Sequence, residues 1–274
     1  MTTCRARLWR SVVPALLMLS TVAMAEAGAQ AQAASITVDD VLTLPNQSVR
    51  IEARVGEGTV GGGSALGGIA LRLRVDGAAV ATAKTDDRGR ASFDFTPKMR
   101  GNHPMVVEQG ESSGSDAGTT AKATLFVWER RRPILLVEVA SLVEAGGGGS
   151  DVLSTKPSAD AAEELTRLSQ YYYNLVYIPR GEQSSSDTRA WLEAHQFPTG
   201  LVLMPLAGGL GPALDSFKQQ GWTTMKAGIG RTKLFAETLL QHRVDVVLVP
   251  EPPKGDLPRK AKAAKDWKDV RKKL

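Results

Sequence analysis

The chain has 274 residues, 42% of them hydrophobic and 23% charged, with a net charge of +5 and one cysteine, Cys4. The positive charge is concentrated at the two ends, so a nucleic-acid-binding surface over the whole protein is excluded and no nucleic-acid partner is expected. Loss of Cys4 with an amino-terminal leader would leave no disulfide, no thiol nucleophile and no thiolate metal site.

The amino terminus has the pattern of a cleavable secretory signal. Three arginines precede an apolar run from Val12 to Ala25, which is too short to span a bilayer as a stable helix. Small residues follow at the spacing that signal peptidase needs, first in Ala23-Met24-Ala25. We therefore expect residues 1–33 to be a signal peptide and the protein to be periplasmic or secreted. An uncleaved membrane anchor is the alternative.

The next part of the chain, residues 34–130, is predicted to be an antiparallel β-sandwich. Short alternating or apolar segments are separated by Gly, Asp, Asn and Pro, and Asp76-Gly77 is typical of a type I′ hairpin turn. About seven short strands in some ninety residues favour a sandwich. The predicted strands are residues 36–38, 48–55, 69–75, 78–84, 91–95, 105–108 and 121–127.

From residue 131 to residue 274 the pattern predicts a doubly wound parallel α/β sheet. Continuous apolar runs alternate with segments of helical spacing, as buried parallel strands and their crossover helices do. The predicted strands are residues 134–137, 174–178, 200–204 and 244–249, and the predicted helices are residues 159–171, 186–195 and 232–242.

The basic tail from Lys254 to Leu274 predicts an amphipathic helix. Trp267, Val270 and Leu274 would face the protein, and the lysines and arginines would face solvent. Peripheral contact with an anionic membrane through this segment is the alternative.

The segment GGIALRLRVDGAAVATAKTDDRGRASFDFTP, which begins at Gly67, resembles bacterial immunoglobulin-like and carboxypeptidase-regulatory-like domains. In those families a glycine precedes a strand, a dipeptide turn follows, and a Thr-Asp-x-x-Gly turn leads to the next strand. Here these features are Gly68, Asp76-Gly77 and Thr85 to Gly89. The resemblance implies the sandwich fold and no particular activity.

The second half resembles the haloacid-dehalogenase superfamily, and within it the lipin-like, phosphatidate-phosphatase-like branch. The resemblance is carried by the segments RPILLVEVASLVE, TRAWLEAHQFPTGLVLM and KLFAETLLQHRVDVVLVPE, and within the second of these by Trp191 to Gly200. It implies a phosphatase frame with reactive residues at the carboxyl ends of the strands.

The residues at the expected catalytic positions depart from that family. Glu138 stands where the nucleophilic Asp is expected, and Ala140 replaces the Asp that acts as general acid and base. Pro179 replaces the phosphate-binding hydroxyl residue, and it offers neither a hydroxyl nor an N–H. Lys233 fits the family's lysine, with Lys226 as the other candidate. The catalytic site is therefore expected to be degenerate.

Three carboxylates are candidates for a weak residual metal site. Glu251 and Asp256 match the family's later acidic pair loosely, and with Glu138 they could bind Mg²⁺. The alternative is that Glu138 pairs with Lys233 or another base, and no cofactor is then expected.

Two other groups of residues have alternative interpretations. His195 is expected to serve packing, and the three histidines are too scattered for a metal cluster. Tyr171-Tyr172-Tyr173 is expected to close a helix and pack on the sheet, with a ligand-stacking platform as the alternative.

The sequence as a whole predicts an exported, catalytically inactive phosphatase-like protein. It would bind or scaffold an envelope protein or an anionic ligand. One alternative is a metal-dependent phosphohydrolase that uses Glu138 on a phosphate ester, including lipid phosphates. The other is an adhesion or structural module that acts through the sandwich.

Overall fold

The computed structural model describes residues 34–57, 65–110, 119–144, 152–180, 183–253 and 255–274. The predicted signal peptide, residues 1–33, lies outside the described residues. Residues 33 to 274 form one compact unit. In the described part of the chain, no helix combines the length and the apolar character needed to cross a membrane.

The first part of this unit is a β-sandwich, as predicted. One sheet has the strand order β1-β3-β6 and is antiparallel, and the other has the order β2-β8-β7-β4-β5 with β2 parallel to β8. The strands are β1 (Ala34–Val38), β2 (Val41–Thr43), β3 (Val49–Glu57), β4 (Ala70–Val75), β5 (Ala78–Lys84), β6 (Arg90–Phe95), β7 (Gly101–Gln109) and β8 (Thr120–Val127).

The inward residues of both sheets form one apolar core. Along β6, Ala91 and Phe93 are buried and their neighbours are exposed. This alternation is typical of a strand with one face in the core and one face in solvent. The β4–β5 turn has φ of 50° at Asp76 and 79° at Gly77, so the predicted type I′ turn is confirmed. The seven predicted strands are all present, and the short strand β2 is additional.

The second part is a parallel sheet covered by helices. Its strand order is β11-β10-β9-β12-β13-β14, and all pairs are parallel. The strands are β9 (Ile134–Glu138), β10 (Asn174–Ile178), β11 (Leu201–Val202), β12 (Met225–Gly230), β13 (Asp245–Leu248) and β14 (Lys262–Ala263). The helices are α1 (Ala161–Tyr171), α2 (Ser185–Ala194), α3 (Leu210–Gln219), α4 (Lys233–Gln241) and α5 (Trp267–Lys273).

Two apolar layers cover the two faces of this sheet. The side chains of α1, α2 and α5 pack with Leu135 and Val137 of β9, and those of α3 and α4 pack with Ile134 and Leu136. Every residue of β9 is buried, as its continuous apolar run predicts. The sheet is therefore doubly wound, with the sequential order 3-2-1-4-5-6.

The second part contains elements that the sequence pattern does not indicate. Strand β12 lies in the centre of the sheet between β9 and β13, and α3 precedes it. Strand β12 has the sequence MKAGIG, which lacks a continuous apolar run because Lys226 and two glycines interrupt it. The strand expected at residues 200–204 is shorter than predicted, at Leu201–Val202.

The basic tail ends in α5, a short helix whose apolar residues face the protein. Trp267 is 1% exposed and Val270 is fully buried, and Leu274 packs against the same core. Asp266 caps the helix by accepting a hydrogen bond from Asp269 N. The inward orientation of these three residues is confirmed, but the predicted helix is limited to Trp267–Lys273, and strand β14 lies in the same tail. Contact of the tail with an anionic membrane stays a prediction.

The sandwich and the parallel sheet share a packed boundary. Phe126 and Trp128 at the end of β8 belong to the apolar layer under α3 and α4, and Trp128 meets Trp222 edge to face at 6.2 Å. Arg189 of α2 forms an ion pair of 2.7 Å with Asp40, which also accepts a hydrogen bond from Thr124 N. The predicted boundary between residues 130 and 131 lies in the connection from β8 to β9.

Candidate functional site

The direction of the strand order reverses at β9, which lies between β10 and β12. In open α/β sheets, ligands bind at the carboxyl ends of the strands at such a switch point. Glu138 is the last residue of β9, and Arg231 and Thr232 follow β12. This crevice is therefore where a catalytic site would be expected.

The carboxylate of Glu138 fills this crevice itself. Its Oε2 accepts hydrogen bonds from Arg231 N at 2.7 Å and from Thr232 N at 2.9 Å. Its Oε1 accepts a hydrogen bond from the Thr232 hydroxyl at 2.6 Å. Glu138 is only 5% exposed. Both carboxylate oxygens are thus held by donors from the chain.

These donors belong to the start of α4. Thr232 is the N-cap of that helix, and its Oγ1 also accepts from Phe235 N at 3.3 Å. The first N–H groups of a helix have no partner within the helix, and its amino end carries partial positive charge. Glu138 therefore sits at the place where an anionic ligand would otherwise be favoured.

Arg231 connects the crevice to the segment that follows β9. Its guanidinium donates to Val143 O and, at 3.3 Å, to Glu144 O. Burial lowers the pKa of Arg231, and the nearby charge of Glu138 opposes that shift. Arg231 thus holds the backbone of residues 143 and 144 next to the Glu138 carboxylate.

The position expected for the general acid is part of the core. Ala140 lies in a 3₁₀ turn, Val139–Leu142, and is 3% exposed. The Ser141 hydroxyl in the same turn donates to Glu138 O at 2.7 Å, and Trp267 Nε1 donates to Ser141 O at 3.3 Å. This turn therefore offers packing and backbone contacts, and a methyl group where an acid would be needed.

The hydrogen bonds that the described residues make to the Glu138 carboxylate come from Arg231 and Thr232 and not from the other predicted site residues. Pro179 is buried after β10, whereas Lys233, Glu251 and Asp256 are exposed. Lys233 is absent from the hydrogen bonds that the described residues make to Glu138. Among the described residues no three acidic, histidine or cysteine side chains form a group able to hold a metal ion. Weak Mg²⁺ binding stays a prediction.

His195 packs as expected. Its ring lies 4.5 Å from that of Trp191, and its Nδ1 is 2.8 Å from Trp191 O. Ser184 caps α2 by accepting a hydrogen bond from Asp187 N.

Two of the three consecutive tyrosines do not pack on the sheet, so the packing prediction is wrong for them. Tyr171 is 73% exposed and Tyr172 is 61% exposed, because they lie at the end of α1 where the helix leaves the core. Tyr173 is partly buried against the core.

A concave surface lies beside these tyrosines, where the sandwich meets the end of α1. We call it the Tyr173 cleft, and its volume is about 640 Å³. Its lining includes Arg100, Asn102, Glu129, Arg132, Tyr173 and Asn174. Sequence patterns do not predict this cleft, because its residues come from both halves of the chain. The run of three tyrosines is the one sequence feature that points to it.

No family model matches this chain, and no curated protein matches it significantly. Solved structures similar to it include the CARDB domain of the PF1109 protein from Pyrococcus furiosus, in complex with di-metal ions. That domain is 16% identical, the match covers 35% of this chain and 87% of that one, and the TM-score is 0.25.

Two further similar structures are a domain of an ice-binding adhesin and a domain of intimin. A bacterial immunoglobulin-like domain of the M. primoryensis ice-binding adhesin is 21% identical, with 36% of this chain and 100% of that chain covered and a TM-score of 0.26. The D0-D1 domain of intimin is 17% identical, with 35% and 50% covered and a TM-score of 0.26. These neighbours are sandwich domains matched over about a third of the chain, and they give no support to the haloacid-dehalogenase resemblance of the second half.

Proposed function

We propose that this chain is an exported envelope protein that acts as a binding or structural module and catalyses no phosphoryl transfer. The observation that carries the proposal is the engagement of both Glu138 oxygens by the start of α4. The apolar segment that follows three arginines before residue 34 supports export.

A carboxylate nucleophile must present a free oxygen lone pair in line with the bond that breaks. Both lone pairs of Glu138 Oε2 are taken by backbone N–H groups, and Oε1, which accepts from the Thr232 hydroxyl, keeps one lone pair on a side chain that is only 5% exposed, so Glu138 would have to move away from these donors to reach a substrate. Those donors are fixed by the N-terminus of a helix, so releasing the carboxylate would leave them unpaired in a buried place.

At the two described positions where the family has its general acid and its phosphate-binding hydroxyl, this chain supplies neither. A general acid is typically worth about 10²- to 10⁴-fold in rate, and the Ala140 methyl group supplies none of it. Pro179 offers no donor to a phosphoryl oxygen. These features support a degenerate phosphatase frame that now serves as a rigid support for the sandwich. The Tyr173 cleft lies near the amino ends of β9 and β10, whereas Glu138 is at the carboxyl end of β9, and it gives the protein a concave surface for a ligand.

A phosphatase assay tests the proposal. Residues 33 to 274 would be incubated with Mg²⁺ and either p-nitrophenyl phosphate or phosphatidate vesicles, alongside Glu138→Ala and the exposed control Glu237→Ala. We expect no phosphate release above the buffer rate from any of the three. Release by the wild type and by Glu237→Ala that disappears in Glu138→Ala would contradict the proposal and support the phosphohydrolase alternative.

A further inference from the structure

We infer that the basic tail adsorbs to a lipid bilayer that contains acidic phospholipids, through its charge and without inserting a helix. The inference rests on the proposed function, because it names the kind of surface that holds an exported, non-catalytic module. Residues 255–274 contain eight lysines and arginines and three aspartates. A cluster of this size is typical of segments that bind acidic lipid headgroups.

The lysines of the tail come together although they belong to different elements. Lys262 lies on β14, the edge strand of the parallel sheet, and its Nζ donates to Lys273 O at 2.6 Å at the end of α5. Lys265 N donates to Asp269 Oδ2 at 3.4 Å, which ties the segment before α5 to that helix. We call the exposed lysines of this region the tail surface, and they are Lys260, Lys262, Lys265, Lys268 and Lys272.

Most of the charge of the tail surface has no acidic partner. Lys268 pairs with Asp160 at 3.1 Å, and the other four lysines of the tail surface form no ion pair with any described residue. The carboxylates of Asp266 and Asp269 accept hydrogen bonds from backbone N–H groups at the start of α5. The tail surface therefore keeps a net positive charge, which attracts an anionic surface.

The apolar face of α5 is used inside the protein. Trp267 is 1% exposed, Val270 is fully buried, and Leu274 packs against the same core. Lys268 and Lys272 are one helical turn apart on the other side of the helix, and both are exposed. A helix that inserts into the bilayer interface needs a free apolar face, so α5 contributes charge to the contact and stays folded against the sheet.

The composition of the tail favours lipid headgroups over an anionic polymer. Lysines outnumber arginines among its exposed bases, and a lysine is a compact point charge, whereas bidentate recognition of single anionic groups favours arginine. Single-stranded nucleic acids stack their bases on exposed aromatic rings, and the aromatic residue of the tail, Trp267, is buried. Leu257 precedes the tail surface in the chain and is 40% exposed, so it offers an apolar contact to the bilayer interface.

Biolayer interferometry with residues 33 to 274, captured through an amino-terminal tag, tests the inference. The probes are vesicles of phosphatidylcholine alone, vesicles of equal parts of phosphatidylcholine and phosphatidylglycerol, alginate and single-stranded DNA, each at low and high NaCl. We expect the acidic vesicles to bind at low salt and more weakly at high salt, and phosphatidylcholine vesicles not to bind. Each base near an acidic membrane strengthens binding roughly fivefold, so Lys260→Gln/Lys265→Gln/Lys272→Gln should bind at least about tenfold more weakly.

Lys84→Gln/Lys98→Gln/Lys122→Gln is the matched control, because it removes the same charge from exposed positions of the sandwich. It should bind acidic vesicles as the wild type does, and circular dichroism should show both variants folded. The inference would be overturned by no binding of acidic vesicles, by equal binding of phosphatidylcholine vesicles, by a tail variant that binds no more weakly than the control variant, or by tighter binding of alginate or DNA than of vesicles. Phosphatidylglycerol has no phosphate monoester, so none of these results bears on phosphatase turnover and the proposed function stands or falls separately.

Discussion

Glu138 is the residue on which the interpretation of the α/β half depends. A carboxylate at the end of a central strand has the position of a nucleophile. Here, however, it accepts hydrogen bonds at the start of α4, as a helix-capping side chain does, although it belongs to β9. Hydrogen bonds to a charged acceptor are about twice as strong as neutral ones, and a helix amino end favours negative charge. The side chain is therefore expected to stabilise the fold.

Replacement of Glu138 by alanine should lower the free energy of unfolding by about 3 kcal/mol, because buried donors lose a charged acceptor. Urea denaturation at neutral pH measures the change. Glu237→Ala, which removes an exposed carboxylate from α4, should change stability by less than about 0.5 kcal/mol. Equal stability of Glu138→Ala and the wild type would show that the carboxylate has no structural role.

The sequence is enough to select Glu138, because it ends a continuous apolar run. The family resemblance suggests Lys233 or another base as its partner. The structure instead uses the backbone N–H groups of Arg231 and Thr232. Backbone donors carry no signature of residue type, so the pairing follows only from the fold.

At the scale of elements, two glycines of β12 leave room for side chains of α4. A Cβ at Gly228 would lie 2.2 Å from Leu239 Cδ1, and one at Gly230 would lie 2.3 Å from Phe235 Cδ1. Side chains at these positions would collide with Leu239 and Phe235 of α4, and one at Gly230 would also lie 2.9 Å from Glu138 Oε2. The same glycines make β12 hard to recognise in the sequence, whereas the strands of the sandwich are recognisable because polar and apolar residues alternate along them.

Gly228→Ala should destabilise the protein by about 1 to 3 kcal/mol, as overpacking of a core does. Gly211→Ala is the matched control, because a Cβ at this position of α3 would meet its nearest neighbour, His242 Nε2, at an ordinary 3.7 Å. The following Pro212 disfavours a helical residue with a Cβ before it, which offsets the better helix propensity of alanine, so stability should change by less than about 1 kcal/mol. Thermal unfolding should therefore shift clearly downward for Gly228→Ala and little for Gly211→Ala, and equal shifts would contradict the close-approach argument.

At the scale of the whole molecule, the two halves are joined by packed aromatic rings and by the Asp40–Arg189 ion pair. The Asp40 side chain is 7% exposed and that of Arg189 is 22% exposed, with 2.7 Å between their atoms. Neither residue stands out in the sequence, because each belongs to a different predicted domain. The contact depends on how those domains pack, which local patterns do not specify.

Arg189→Met should destabilise the protein by about 3 kcal/mol at pH 7, because it leaves a buried carboxylate without its cation. The double variant Asp40→Asn/Arg189→Met should recover most of that loss, because no buried charge remains. Urea denaturation of both variants provides the test. A double variant as unstable as the single one would show that Arg189 acts through packing instead.

The loss should also depend on pH. Burial raises the pKa of Asp40 above its usual value of 3.8, although Arg189 and the Thr124 N–H oppose the shift. The folded protein therefore binds a proton at Asp40 more readily than the unfolded chain does. The stability that this difference provides is complete below pH 3.8 and is lost as the pH rises through the raised pKa. Without Arg189 that pKa rises further, so the deficit of Arg189→Met should be small near pH 4 and full at pH 7.

The central claim, that Glu138 is a structural carboxylate and not a nucleophile, is tested most directly by acid-quenched intact-protein mass spectrometry after incubation with a phosphate ester and Mg²⁺. We expect the unmodified mass alone, because both oxygens of Glu138 are held by α4. A phosphoryl adduct that peptide mapping places on Glu138 would contradict the account.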